Sequence, residues 1–174
     1  IIALVLTFTA TFASAGGHFD ANNHDASMLS EAELKAMVEE AMKVNPPKNG
    51  KNYVFGFANL QRDIAFCALV EEGILANAEA AGIEILVTDN LLDGATAMAN
   101  AESYITRNVD YVIEFQTDAA FGEMIMNKMN MNGIGVTAID IPMPGAGFFG
   151  ANNPKSGYIG GCLLYTSDAA DDCW

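Results

Sequence analysis

Asn59, Gln116, Asp118 and Asp140 each stand where an apolar run of this sequence gives way to polar residues. Amides and carboxylates in a crevice take paired hydrogen bonds from hydroxyl groups. Phe66 follows shortly after Asn59 and offers an aromatic face to the apolar side of a polyhydroxylated ring. As a set, these residues suit the binding of a small polar solute. Taken singly, each also serves as a helix cap, a role well suited to Asp118.

Side chains for making and breaking covalent bonds are scarce. No G-x-S-x-G occurs, and no P-loop or H-E-x-x-H. The two histidines, His18 and His24, lie in a polar stretch near the N-terminus, so the folded part has none for a Ser-His-Asp triad. They also lack a third metal ligand nearby, and Cys67, Cys162 and Cys173 fit no metal spacing. Cys67 falls on an apolar helical face and reads as a small core residue. Asp118 and Asp140 would suit glycoside hydrolysis only at a defined separation, which sequence does not set. Gly145-Ala146-Gly147-Phe148-Phe149-Gly150 has the form G-x-G-x-x-G. It follows the fourth apolar run rather than the first, so it reads as a loop and not as a dinucleotide site. No cofactor, no metal and no enzymatic activity are expected.

Composition narrows the partners. The 174 residues are 51% hydrophobic and 17% charged, enough for one domain with a packed core. The formal net charge is −14, from 22 acidic against 8 basic residues. Without a cluster of Lys and Arg, such a surface repels phosphate backbones, so nucleic acid is not an expected partner.

The elements that must position the polar residues begin after two N-terminal segments. Residues 1–15 run apolar from Ile1 to Ala10 and close on Ala13-Ser14-Ala15. The run is too short for a membrane span of about 20 residues and reads as a signal peptide truncated at its start. No cysteine beside the cleavage site suggests a lipid anchor. Residues 16–50 form an extension whose helix starts at Ser30, carries Leu34, Met37, Val38, Ala41 and Met42 at helical spacing, and stops before Pro46-Pro47.

From residue 51 to 161, short β-rich runs alternate with longer helical ones. Tyr53–Ala58, Ile83–Thr88, Tyr111–Phe115 and Gly135–Ile139 are near-continuously apolar, as strands covered on both faces are. Gly82 and Gly133 mark helix ends, Asp93 starts the second helix, and Thr117 or Asp118 caps the third. The helical methionines read as core filler. Phe148–Asn152 adds a short fifth strand, and Pro154 opens a further helix. The expected class is α/β, a doubly wound parallel sheet with helices on both faces in flavodoxin-like order. Ligands then bind outside the strand carboxyl ends, between the first and third strands. Residues 162–174 abandon the helical periodicity and resemble translated adapter sequence, so they are set apart as a non-native tail.

The segment Tyr53-Val54-Phe55-Gly56-Phe57-Ala58-Asn59-Leu60-Gln61, with Glu71-Glu72-Gly73-Ile74 after it, resembles the opening of ribose-binding-type periplasmic proteins. The similarity continues through Ile85–Asp89, Gln116-Thr117-Asp118-Ala119, Gly133–Asp140 and Phe149–Asn153. It implies the incomplete first lobe of a two-lobe protein that closes on a sugar or polyol and delivers it to the membrane permease of an ABC importer. It also implies a periplasmic or secreted location and ligand contacts in the loop from Asn59 to Phe66 and at Asp118 and Asp140. Two departures stand out. Ile64-Ala65-Phe66-Cys67 keeps one aromatic where the family often has Asn-Pro-Phe-Phe, and Asp140-Ile141 replaces a frequent Asp-Arg. Arg62 is the candidate to supply that cation. The same fold serves lac-repressor-type effector lobes and extracellular sensor modules, which are the competing roles.

Overall fold

The structure, a computed structural model, describes residues 29–116 and 118–166. The expected signal at 1–15, both histidines, Thr117 as a cap and the end of the expected tail lie outside the described residues.

The chain opens with α1 (Glu31–Val44), which starts at Ser30 as expected. The Ser30 hydroxyl accepts from Glu33 N, and the Glu33 carboxylate accepts from Ser30 N at 2.8 Å. This reciprocal cap satisfies two backbone donors that the first turn leaves free. No residue of α1 is buried, so it lies on the surface beside the next helix. Alternation then begins: β1 (Val54–Asn59), α2 (Ala65–Ala81), β2 (Glu84–Asp89), α3 (Gly94–Thr106), β3 (Tyr111–Glu114), α4 (Ala119–Met131), β4 (Gly135–Ile139), β5 (Gly147–Phe149) and α5 (Asn153–Thr166).

The strands form one parallel sheet in the order β2-β1-β3-β4-β5, the flavodoxin-like order expected from sequence. Parallel neighbours need crossovers, and right-handed crossovers put α2 on one face and α3 with α4 on the other. The core divides accordingly. Phe57, Leu60, Cys67, Phe115 and Ile139 pack on the α2 side. Ala58, Ala97, Ala101, Tyr104, Val112, Ile125 and Met129 pack on the α3–α4 side. Gly82 ends α2 at φ 74°, the left-handed conformation that favours glycine.

Several details differ from the sequence reading. Asn59 is the last residue of β1 rather than the first after it. The glycine-rich segment is not all loop. Gly147–Phe149 pairs with Thr137–Ile139 as β5, because an extended segment beside β4 finds backbone partners there. Met126 and Met129 fill the core as expected, but Met124 and Met131 face solvent. Helix α5 continues past Gly161 to Thr166.

Candidate functional site

Every strand in a parallel sheet points the same way, so the polar residues that end strands share one rim. Strand order reverses at β1, which lies between β2 and β3, and this leaves a crevice between the helices that depart to opposite faces. Leu60, Asn90, Leu92, Asp93, Gly94, Gln116 and Asp118 line a narrow cleft at that point, too tight to admit a water molecule. Gln116 and Asp118 are thus brought together, as the sequence implied. A larger hollow of about 570 Å³ runs along the solvent side of α2, past Arg62, Ala68, Glu71 and Leu75. It is an open strip along α2, and its one pair of polar groups from separate elements, Arg62 and Glu71, is bound to each other. The strand-end cleft is therefore the candidate site.

Short hydrogen bonds build its floor. Asn90, just past β2, is 1% exposed. Its Nδ2 donates to Glu114 Oε1 at 2.9 Å and to the Phe115 carbonyl at 3.0 Å, and its Oδ1 accepts from Asn100 Nδ2 at 2.9 Å. One amide thus straps the end of β2 to the end of β3, across β1. Its backbone N–H donates to the Asn59 carbonyl at 2.8 Å, which closes the strap on β1. Gln116, also buried, accepts from Asp118 N at 2.8 Å. Asp118 caps α4 by accepting from Ala120 N, and Asp93 caps α3 by accepting from Thr96 N. A Cβ on Gly94 would sit 2.9 Å from Asp118 Oδ2 and nearer still to the Phe121 ring. Only glycine lets the two helix starts approach this closely.

The remaining sequence candidates share the rim without lining the cleft. Asn59 is fully buried and turned toward α2, donating to the Cys67 carbonyl at 3.1 Å and to Glu71 at 2.9 Å. Its Oδ1 is buried without a donor. Arg62 is forked onto Glu71, with Nε 2.9 Å from Oε2 and Nη2 2.5 Å from Oε1. That guanidinium holds the Glu71 carboxyl below its usual range against the effect of burial, with help from Asn59. Phe66 is 56% exposed, its ring edge-on to Phe115 at 6.3 Å between centroids. Asp140 follows β4 at φ 61°, and Ile141 N donates to the Ile139 carbonyl across it at 2.7 Å. This is a γ-turn of the strained, positive-φ kind. It presents an exposed carboxylate that makes no hydrogen bond among the described residues.

The sequence reading missed Asn90 and Glu114 and gave Asp93 no part in the site. A polar residue ending the second apolar run was a signal for Asn90. An acid inside the third run was a signal for Glu114. Both were hidden by their neighbours' strand character. Among the described residues, no group of three His, Cys, Asp or Glu side chains is placed to hold a metal, and no helix is long and apolar enough to cross a membrane.

Comparison with known proteins gives the fold a family. Residues 55–167 match the model of the periplasmic binding protein domain. No curated protein matches. Among solved structures, an ABC transporter solute binding protein from Mycobacterium smegmatis with bound glycerol superposes with a TM-score of 0.56 at 21% identity, over 59% of this chain and 36% of that one. A Mycobacterium smegmatis protein in complex with β-D-fucofuranose gives 0.60 at 19% identity, over 68% and 41%. A putative LacI transcriptional regulator from Bacteroides fragilis gives 0.58 at 24%, over 66% and 42%. At these identities the likeness is one of fold, and the chain spans about two-fifths of the length of each. With the family match extending from β1 through α5, this chain belongs to the periplasmic binding protein domain family.

Proposed function

We propose that this chain carries the first lobe of the solute-binding component of an ABC importer, which takes a sugar or polyol between two lobes and closes on it by a hinge. The observation that carries this reading is the strand-end rim. Gln116 and Asp118 line the cleft there, and Phe66 and Asp140 stand exposed on the same rim. The cleft is too tight to admit a water molecule, whereas small-molecule pockets begin at roughly 300 Å³. One wall of polar groups with too little enclosed space is what half a clamshell presents. Solute bridging two such walls shifts the population toward the closed form. On this reading the lobe spans 51–161, residues 1–15 direct export to the periplasm, residues 162–174 are a non-native tail, and the protein binds without turnover.

The likeness to the LacI-type regulator favours a second reading, an effector lobe that binds its solute at the same rim. The net charge of −14 argues against joining it to nucleic acid.

Titration of the chain with glycerol, myo-inositol and common hexoses tests the proposal. Calorimetry would give affinity, and ¹⁵N spectra would report the Asn59, Asn90 and Gln116 side-chain amides. The expected result is amide shifts confined to the rim with an affinity no tighter than about millimolar. Micromolar affinity from this chain alone would overturn the two-lobe division. Silence at the rim with every solute would overturn solute binding.

A further inference from the structure

We propose that Glu114 is a positioning residue for the strand-end cleft, acting through Asn90, and that solute binds only while the Glu114 carboxyl is uncharged. This rests on the solute-binding reading above and concerns what holds the same site in shape.

Glu114 ends β3 on the face that Val112 turns toward α3 and α4. In the sheet register Ala58 of β1 and Ala138 of β4 stand on either side of it, both fully buried. Paired residues in a parallel sheet point to the same face, so the carboxyl rises between two methyl groups. Both alanines belong to the core cluster that α3 completes with Ala97 and Ala101. An apolar side chain would fill this place without the cost of burying a polar one. The carboxyl supplies what an apolar side chain cannot, an acceptor for Asn90.

Asn90 in turn fixes the loop between β2 and α3. Its Nδ2 donates to Glu114 and to the Phe115 carbonyl, and its Oδ1 accepts from Asn100, which also donates to the Asp89 carbonyl at 2.9 Å. The Asn90 carbonyl accepts from Asp93 N at 2.9 Å, and Leu92 N donates to the Leu60 carbonyl at 3.0 Å. Between these ties Leu91 and Leu92 both stand at positive φ, 53° and 54°. Two successive leucines in the left-handed region persist only where the surroundings fix both ends. Asn90, Leu92, Asp93 and Gly94 line the cleft, so the loop that Asn90 anchors supplies one wall of it.

A charge on Glu114 would have no counter-ion among the described residues. Its Oε2 is buried without a partner. β1 and β4 face it with alanines, and α4 contributes Ile125 and Met129 to the same core. The titratable group of α3 that feels it is Tyr104, whose phenol is pushed up by burial, with Glu114 adding to the shift. The Tyr104 hydroxyl is already engaged by Thr88 and the Leu86 carbonyl. Farther out on α3 and α4, Glu102 and Lys128 pair with each other, while Glu123 and Arg107 are exposed. At the rim, Asp93 and Asp118 carry the sign an ionised Glu114 would have, and both are occupied as helix caps. Burial therefore holds the Glu114 carboxyl up to about 8, with the Asn90 amide pulling the other way. Ionisation calls for hydration of Oε2. Because Asn90 both bonds Glu114 and lines the cleft, the opening that admits water undoes the wall of the site.

Two readouts on the full chain test this. Without solute, ¹⁵N spectra from pH 6 to 9.5 follow the Asn90 side-chain amide and the Leu92 and Asp93 backbone N–H groups. These signals should move together with a midpoint near pH 8 and stay still in Glu114→Gln, which keeps the acceptor and does not ionise. With glycerol, myo-inositol and hexoses, affinity should be level up to about pH 7 and about tenfold weaker at pH 9, as the share of chains uncharged at Glu114 falls. Glu114→Gln should bind at pH 9 as the native chain does at pH 7. Comparison with that variant also removes the titrations of the cysteines and histidines. Glu114→Leu, which packs without an acceptor, should bind weakly at every pH while its circular dichroism spectrum stays native. Affinities falling in parallel for the native chain and Glu114→Gln would overturn the proposal, as would Asn90 and Leu92 signals that stay still across the range. If those signals titrate while no solute moves the rim at any pH, solute binding is overturned and Glu114 stands as the anchor of Asn90 alone.

Discussion

Glu114 is the residue whose chemistry is furthest from its ordinary state. It is 0% exposed at the end of β3, and one carboxyl oxygen has no partner. Burial pushes its carboxyl up to about 8, against the opposing pull of the Asn90 amide. Near neutral pH it is therefore a neutral acid, and the orphaned oxygen carries a proton rather than a charge. Stability follows from the direction of that shift. With an unfolded value near 4.5, its contribution is fully present below that pH and is lost as pH rises through about 8. The loss is roughly 1.4 kcal/mol for each pH unit in that window. Glu114→Gln keeps an acceptor for Asn90 and removes the titration. Urea unfolding from pH 5 to 9 should show the native chain losing stability relative to Glu114→Gln across this range. Parallel curves would mean that Glu114 ionises normally.

At the scale of elements, two glycines separate packing from propensity. Gly56 lies in β1 with the Tyr104 ring of α3 against it, and a Cβ there would come within 2.8 Å of that ring. Tyr104 has no room to yield. It is 1% exposed, and its hydroxyl is tied to Thr88 at 2.7 Å and to the Leu86 carbonyl at 3.1 Å. Gly56→Ala should destabilise the fold by about 1–3 kcal/mol, the usual penalty of overpacking. Gly73, in the exposed middle of α2, has nothing within 4 Å of such a Cβ. Gly73→Ala should stabilise by about 0.5–1 kcal/mol through helix propensity. Thermal unfolding of the two variants should give shifts of opposite sign. Shifts of the same sign would show that β1 and α3 do not meet as described.

At the scale of the whole molecule, the sheet has one edge with little cover among the described residues. β5 is a short edge strand whose Phe148 and Phe149 are 48% and 74% exposed. Tyr158 and Ile159 of α5 are also largely exposed. An apolar strand edge of this kind templates pairing with another chain. Sedimentation velocity should therefore show self-association that grows with concentration, and Phe149→Lys should suppress it while leaving the circular dichroism spectrum unchanged. A monomer at all concentrations would mean that this edge is covered in solution.

How much of this was legible in the sequence depended on whether the signal was local. The apolar runs, their alternation with helical periods, Ser30 before Glu33 and Gly82 after α2 are short-range patterns, and they led to the class, the strand order and most boundaries. The rim position of Gln116, Asp118 and Asp140 followed from the same topology, because every parallel strand ends on one side. What tertiary structure alone decided was where each polar side chain turned once it reached the rim. Asn59 and Arg62 stand near each other in sequence, as binding residues would, yet Glu71 one helical stretch later captures both. A carboxylate presented by a helix face is a stronger partner for them than open solvent. Asn90 and Glu114 come from separate runs and meet only when β2 and β3 lie on either side of β1. Burial of a polar group is a property of the assembled sheet, and no window of sequence contains it.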